Sequence, residues 1–475
     1  MDQIKILWAD DEIDLLKPQL LFLEKRGYDV ITVTNGYDAL EECEESDDID
    51  VVFLDESMPG ITGLETLAKI KDISPNIPVV MITKNEAETV MEEAIGAQIS
   101  DYLIKPVNPN QILLTLKKLI DNKRLVREKT SSDYQQQFRQ ILMQINSGLN
   151  FEEWVDIYRQ IINWEIKIDE SNSTGMADIL AMQKSEANTE FSKYIVRNYL
   201  DWLRTGDGPI MSNTLLRQKV FTELDHEVPT VFLLLDNLRY DQWKMIEPVL
   251  SDLFRVEQED YFYSILPTST QYSRNAIFAG MMPGEIERRY RKWWRNDNEE
   301  GSKNQFEFEL LQEQIRRLFR KEIKVDYVKV TNAYHAKQLN DNIFDYLNND
   351  FTVIVYNFID MLSHARTEME VLKELAGDEK AYRSLTRSWF ENSPLWQALQ
   401  RIAERDVQLF IATDHGTIRV HQPSKVVGDR ETTTNLRYKV GRNLQYVRGD
   451  VLEVRDPAQA ALPRPNVSST FIFAK

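Results

Sequence analysis

Cysteine is almost missing from this sequence. Cys43 stands alone in 475 residues, which excludes an internal disulfide and a cysteine-built metal cage and fits a reducing compartment. Histidine is scarce as well, limited to His226, His335, His364, His415 and His421. Any metal site must therefore draw on carboxylates. Positive charge is in deficit: 57 Lys and Arg stand against 76 Asp and Glu, for a net charge of −19. Such a chain is a poor generic binder of duplex nucleic acid or of an anionic membrane. No run approaches the roughly 18 apolar residues that span a bilayer. The start, Met1-Asp-Gln-Ile-Lys5, has an acid at its second residue and no apolar stretch, so it does not read as a signal peptide. The cytoplasm is the expected location. What is present is 42% hydrophobic and 28% charged residues, enough for packed interiors and unlike disordered, collagenous or low-complexity chains. The length predicts about three domains.

Periodicity divides the chain. Ile4–Ala9, Tyr28–Val33, Val51–Leu54, Val79–Ile82 and Tyr102–Ile104 are short apolar runs separated by amphipathic helical patterns. Such alternation over about 120 residues predicts a five-stranded, doubly wound parallel sheet. From Asn122 to Arg204 no strand pattern occurs. Trp154, Ile157, Tyr158, Ile161, Ile162 and Trp164 recur at helical spacing, and the polar break Asp169–Gly175 separates two helices. A helical bundle over 122–205 follows, ended by a hinge at Thr205-Gly-Asp-Gly-Pro209. Thr230–Leu235, Thr352–Tyr356 and Gln408–Ala412 then read as strands buried on both faces of a second, larger α/β domain over 212–475.

The strand ends carry the chemistry. Asp10 and Asp11 close the first strand, Asp55 the third and Thr83 the fourth, while Lys105 follows the fifth. Strand C-termini of an open parallel sheet converge on one edge. Three carboxylates crowded there call for a divalent cation, and oxygen ligands suit Mg²⁺. Asp55 is then the nucleophile towards a phosphoryl donor, with Lys105 and Thr83 on the new phosphate oxygens. The segments Trp8–Glu12, Leu54–Gly60, Met81–Thr83 and Asp101–Pro106 resemble a two-component response-regulator receiver domain, and the resemblance covers 1–121. It implies a flavodoxin-like fold, a sensor histidine kinase as partner, phosphorylation on Asp55, and Mg²⁺ held by Asp10, Asp11 and Asp55. Thr83, Tyr102 and Lys105 fall at the switch positions, and a homodimer formed on phosphorylation is expected.

The later domain repeats this logic with other ligands. Asp236 follows one strand. Asp360 and His364, four residues apart on one helical face, follow a second, and Asp414 and His415 follow a third. Mixed Asp and His donors suit Zn²⁺ or Mn²⁺ better than Mg²⁺. The segment Leu266–Asn275 supplies a threonine hydroxyl that a metal can activate for attack on phosphorus. These residues resemble the alkaline phosphatase superfamily and, within it, the PglZ domain. The resemblance implies that Thr270 is nucleophile and metal ligand, that Asp236, Asp414 and His415 hold one Zn²⁺, and that Asp360 and His364 hold another. The superfamily usually completes the second site with a further histidine near the C-terminus, and none follows His421. Either a C-terminal segment is missing or the second zinc site is the weaker one.

The order receiver, helical bundle, PglZ domain is similar to response regulators of type IX secretion. It implies a zinc-dependent phosphodiesterase acting on nucleotide-type substrates, cyclic or short linear oligonucleotides. The alternative is a non-catalytic platform, switched by phosphorylation, for a sigma factor or a secretion component. A transcription factor is disfavoured, because nothing after the receiver reads as a basic helix-turn-helix. Two further features are open at this level. The cations Lys425, Arg430, Arg437, Lys439, Arg442 and Arg448 either receive substrate phosphates or lie on a solvated loop. Trp293 and Trp294, flanked by Arg291, Lys292 and Arg295, either stack on bases or form a docking surface. His226 and His335 read as structural.

Overall fold

The computed structural model describes residues 4–46, 48–75, 77–84, 99–171, 174–224, 228–420 and 422–475, with the backbone alone described at 120–128 and 174. His226 and His421 fall outside these residues, as does the helical pattern expected between the fourth and fifth strands. The chain forms two compact units, Met1–Gln135 with Ser171–Ser173, and Gln136–Glu170 with Thr174–Lys475.

The first unit is built on β1 (Lys5–Ala9), β2 (Asp29–Val33), β3 (Val51–Asp55), β4 (Val79–Thr83) and β5 (Asp101–Ile104), with helices α1 (Lys17–Glu24), α2 (Gly36–Glu45) and α3 (Gly63–Ile73). All neighbours pair in parallel, in the order β2-β1-β3-β4-β5. Alternation sorts the two faces. Leu7, Ala9, Val52 and Leu54 enter one buried cluster, and Ile6, Trp8, Val51 and Phe53 the other. This is the doubly wound parallel sheet that the strand pattern predicts, in the flavodoxin-like order that the receiver resemblance implies. Thr62 and Glu65 form a reciprocal capping box at the start of α3. Gly63 sits so close to β3 that a Cβ there would meet the Asp55 carbonyl oxygen at 2.3 Å. Only glycine lets this helix approach the strand that ends on Asp55.

Helix α4 (Pro109–Ile145) runs for 37 residues, and α5 (Phe151–Glu170) and α6 (Thr174–Thr205) follow it. Among the described residues no strand interrupts this helical segment, and Gly206 ends it in a left-handed conformation (φ 79°). The helical stripe of α5 buries Trp154, Ile157, Ile161, Ile162 and Trp164, whereas Tyr158 is 48% exposed.

The rest of the second unit contains β6 (Thr230–Leu235), α7 (Tyr240–Leu250), α8 (Thr270–Ala279), α9 (Glu307–Leu318), β7 (Val325–Val330), β8 (Phe351–Tyr356), α10 (Phe358–Glu368), α11 (Glu379–Glu391) and β9 (Gln408–Ala412). The four strands form a parallel sheet in the order β7-β8-β6-β9, with β6 and β8 wholly buried at its centre. Strands β10 (Tyr438–Gly441), β11 (Val451–Val454) and β12 (Thr470–Ala474) make a separate antiparallel sheet in the order β10-β12-β11. The tryptophan pair does not form one exposed surface. Trp294 is 1% exposed against Tyr272, with ring centroids 5.5 Å apart, and Trp293 stacks on Tyr290. The cationic stretch is not one patch either: Arg442 pairs with Asp429 and Glu431, whereas Arg437 turns towards the strand ends.

A buried ionic cluster fastens α5 to this unit. Arg383 of α11, 3% exposed, contacts Glu165 and Asp241 at 3.1 Å each and also bonds Asp169. Arg239 takes Asp241 at 2.6 Å and pairs with Glu379. Burial pushes the Asp241 carboxyl up, but Arg239 and Arg383 outweigh it and hold it below the usual range; Glu379 is held low in the same way by Arg239 and Arg366. Depressed carboxyls contribute stability that is complete above the unfolded value and lost as pH falls through the folded one. Asp169 offsets part of this, because burial pushes it up despite Arg383. The loss of these pairs should appear in thermal melts followed by circular dichroism as a midpoint that falls steeply below the ordinary carboxylate range. A midpoint held down to about pH 3 would contradict a stabilising role for these pairs.

Candidate functional site

Each unit gathers its chemistry at the C-terminal edge of a parallel sheet, as open α/β sheets do. In the first unit, Asp10 directly follows β1 and Asp55 closes β3, and both are buried. One oxygen of Asp10 accepts the Glu12 amide at 2.9 Å. Lys105, one residue beyond β5, places Nζ 2.8 Å from Asp10 and 3.0 Å from Asp55. Exposed Asp11 completes a trio whose ligand oxygens lie within 4.8 Å of one another. Burial pushes the Asp55 carboxyl above its usual range even with Lys105 beside it. Burial also works against the Lys105 ammonium, but its bonds to Asp10 and Asp55 prevail and hold its pKa high. Thr83 is buried and its hydroxyl donates to Glu56, while Tyr102 is 42% exposed. The arrangement presents one carboxylate, Asp55, between a lysine and a space suited to a hard cation.

In the second unit, Asp236 follows β6, and Asn237 next to it adopts a left-handed conformation (φ 64°), which asparagine tolerates better than most residues. That turn ties three strand ends together. The Asn237 amide donates to Asp414 Oδ1 at 3.2 Å, and its side-chain Nδ2 donates to Asp360 Oδ1 at 3.1 Å. Asp236, Asp414 and His415 are buried and bring ligand atoms within 4.8 Å of one another. Thr270 opens α8 among them: Oγ1 lies 2.9 Å from His415 Nε2 and 3.4 Å from Asp236 Oδ1. His415 Nδ1 faces the Gly416 carbonyl at 3.2 Å, so the proton sits on Nδ1 and Nε2 keeps its lone pair towards Thr270. Burial holds the ring below the usual histidine range, so it is neutral.

The donor set fits a cation. Asp236 is pushed up to about 6 by burial and by Asp414, and Asp414 is raised mainly by its own burial. Asp414 Oδ2 is buried without a hydrogen-bond partner. A divalent ion relieves both the crowding and the unused oxygen, and two carboxylates with a neutral imidazole suit zinc. Asp360 reaches this group through Asn237. His364 does not: its side chain is 69% exposed, and Nε2 stands 3.6 Å from Asp360 Oδ2. The structure thus assembles Asp236, Thr270, Asp414 and His415, adds Asp360 at the margin, and leaves His364 on the rim.

Two supports of this site were not legible at first sight. Arg274, 1% exposed and one turn after Thr270, donates from Nη1 to Asp236 Oδ2 at 2.7 Å and from Nε to Glu307. Glu307 is also held by Lys329 at 2.7 Å and by the Tyr327 hydroxyl. Burial opposes the Glu307 charge, yet Arg274 and Lys329 keep its pKa low. Asp236 therefore has one oxygen fixed by Arg274 and the other turned to Thr270. No local signal marked them: only the structure shows that residues 271–279 are buried at nine consecutive positions, and a helix buried all round must satisfy its arginine internally.

Comparison with known proteins agrees with this layout. Residues 6–117 match the family model of the response regulator receiver domain, 124–203 that of the PorX response regulator linker domain, and 215–473, more than half of the chain, that of the BREX system PglZ alkaline phosphatase-like domain. The three stand in the order of the PorX architecture. Among curated proteins, the CpxR homolog of Haemophilus influenzae, a transcriptional regulatory protein, is 36% identical over 24% of this chain and 50% of its own length. The transcriptional regulatory protein ZraR of Klebsiella oxytoca is 36% identical over 26% of this chain and 28% of its own. The chain thus spans half or less of these two relatives. Among solved structures, a CheY-like receiver domain protein of Methanospirillum hungatei is 26% identical over 26% of this chain and 96% of that one, with a TM-score of 0.25. Among the described residues no helix is long and apolar enough to cross a membrane.

Proposed function

We infer, from a chain that belongs to the PglZ alkaline phosphatase-like family and joins that domain to a receiver through a PorX linker, that phosphorylation of Asp55 governs a zinc-dependent phosphodiesterase whose nucleophile is Thr270. The observation that carries this reading is the Thr270 hydroxyl, 2.9 Å from a neutral His415 Nε2 and beside buried Asp236. Asp236, Asp414 and His415, with Thr270, would hold one zinc, and Asp360 with His364 would contribute to a second. Zinc held there would lower the pKa of a coordinated hydroxyl and polarise the phosphoryl oxygens. Thr270 stands first in α8, its carbonyl fixed by Asn304 Nδ2 at 3.1 Å, so the hydroxyl is held towards the pocket. With the His415 Nε2 lone pair given to the metal, Asp236 Oδ1, 3.4 Å away, would be the acceptor left in reach of its proton. In the receiver, Asp10, Asp11 and Asp55 would hold Mg²⁺, Asp55 would take the phosphoryl group from a sensor histidine kinase, and Thr83, Lys105 and Tyr102 would respond to it. Nucleotide-type diesters are the substrate class, dimerisation is the response to phosphorylation, and control of type IX secretion is the context of the same reading.

A second reading has one observation in its favour. Exposed His364 leaves the second cation position unassembled, as expected of a binding platform for a sigma factor or a secretion component that has no need of hydrolysis. One experiment separates the two. The metal-stripped chain should not cleave bis(p-nitrophenyl) phosphate, and zinc should restore cleavage. Treatment with a small phosphodonor should double the mass by light scattering and raise turnover, and Asp55→Asn should respond to neither. Turnover indifferent to zinc, or absent throughout, would sink the hydrolase, and an unchanged mass would sink the phosphorylation-driven dimer.

A further inference from the structure

The cations near the pocket differ in how they are occupied. Arg274 is saturated by Asp236 and Glu307, and Arg239 by Asp241 and Glu379. Arg437 is different. It stands just before β10, and its backbone is pinned on both sides: its amide donates to Asn435 Oδ1 at 2.8 Å, and its carbonyl accepts from Ala474 at 2.9 Å. The neighbouring Tyr438 and Tyr272 of α8 both donate to the Asp297 carboxylate, at 2.9 and 2.7 Å. The antiparallel sheet is thereby locked to the helix that begins with Thr270.

From this fixed base the guanidinium reaches two loops of the site. Nη1 donates to the Thr268 carbonyl, two residues before Thr270, and Nη2 donates to the Gly416 carbonyl at 2.9 Å, one residue after His415. Those carbonyls belong to the loops that carry Thr270 and His415, and Arg437 lines the same pocket as both. Among the described residues no carboxylate lies within 4.0 Å of it as an ion-pair partner. Carbonyl oxygens orient a guanidinium without neutralising it, and among the described residues only two of its five N–H donors are engaged. A partly buried, oriented cation with free donors, facing a nucleophile and a cation site, suits a phosphate anion.

We propose that Arg437 receives the non-bridging oxygens of the scissile phosphate, held in place by the Thr268 and Gly416 carbonyls. This role rests on the phosphodiesterase reading and adds to it a residue supplied by the antiparallel sheet. It also separates one member of the cationic stretch from the others: Arg442 is neutralised by Asp429 and Glu431.

The test uses the full chain loaded with zinc. Arg437→Ala should keep the zinc content and melting midpoint of the parent and lose roughly 100-fold in kcat/KM on bis(p-nitrophenyl) phosphate. Free guanidinium should restore part of that loss. Arg437→Lys, a point charge that cannot bridge two carbonyls and a phosphate, should fall between and gain nothing from guanidinium. Inorganic phosphate binding, measured by calorimetry in Thr270→Ala, should weaken about tenfold when Arg437→Ala is added. Unchanged phosphate affinity would overturn the proposal, as would a kcat/KM within threefold of the parent. If the parent chain cleaves no diester, the phosphodiesterase reading falls alone, because the phosphate titration still decides whether Arg437 binds the anion.

Discussion

Thr270→Ala should abolish diester cleavage, lowering kcat by roughly a thousandfold or more, while the protein stays folded and still binds zinc through the three ligands that remain. The separation of effects follows from where the hydroxyl sits. It bonds His415 Nε2 at 2.9 Å and approaches Asp236 Oδ1 at 3.4 Å, but the two carboxylates and the imidazole that would hold the metal do not depend on it for their own positions. Asp236 is fixed by Arg274, Asp414 by the Asn237 amide, and His415 by the Gly416 carbonyl. Loss of one partly buried hydroxyl should cost no more than about 1 kcal/mol of stability. Metal analysis and turnover on the same samples are the measurement. Equal activity in parent and variant would remove Thr270 from the chemistry and, with it, the enzymatic proposal.

The second large effect concerns stability. Arg274→Leu should destabilise the protein by about 3–5 kcal/mol, because the change leaves two carboxylates in a dry interior with their shared counter-charge gone. Asp236 is the more damaged of the two. Glu307 retains Lys329 and the Tyr327 hydroxyl, whereas Asp236 of the metal-free protein would face Asp414 with no cation in direct contact. Arg274→Lys should recover only part, since a single ammonium cannot reach both Asp236 and Glu307 in the forked geometry that the guanidinium uses. Urea unfolding of the second unit is the readout. Replacing Asp236 by Asn together with Arg274→Leu should return part of the loss by removing the carboxylate left without a cation. A midpoint for Arg274→Leu equal to that of the parent would show that Asp236 does not need its arginine.

Strand ends were the readable part of this molecule. β1, β3, β4, β6, β8 and β9 are continuous apolar runs, and each leads to the acid, hydroxyl or imidazole that the edge of a parallel sheet presents. The pattern is local, so sequence reports it. β7, Val325-Asp-Tyr-Val-Lys-Val330, is an edge strand with only its last residue buried, and its alternating polar residues hid it. The antiparallel sheet depends on pairing between residues more than ten positions apart, as between Val451–Val454 and Thr470–Ala474, which no local window reports. Within the site, Asp360 and His364 share a helical face as their spacing implies, yet spacing cannot say that the histidine end of that face looks outward. Arginines read as surface by composition; Arg274 and Arg383 are core residues because distant carboxylates meet them there.

The pairing of Arg383 with Glu165, Asp169 and Asp241 also bears on how such chains can be recombined. Helix α5 cannot be exchanged for another connector without stranding Arg383, and the output domain cannot be transplanted from Gly206 onward without losing two of the three acids that neutralise that arginine. The separable module ends inside α4, near Gln135, where one compact unit gives way to the other. A receiver swapped at that point would carry its signal into a linker that already belongs, by its charges, to the machinery it addresses.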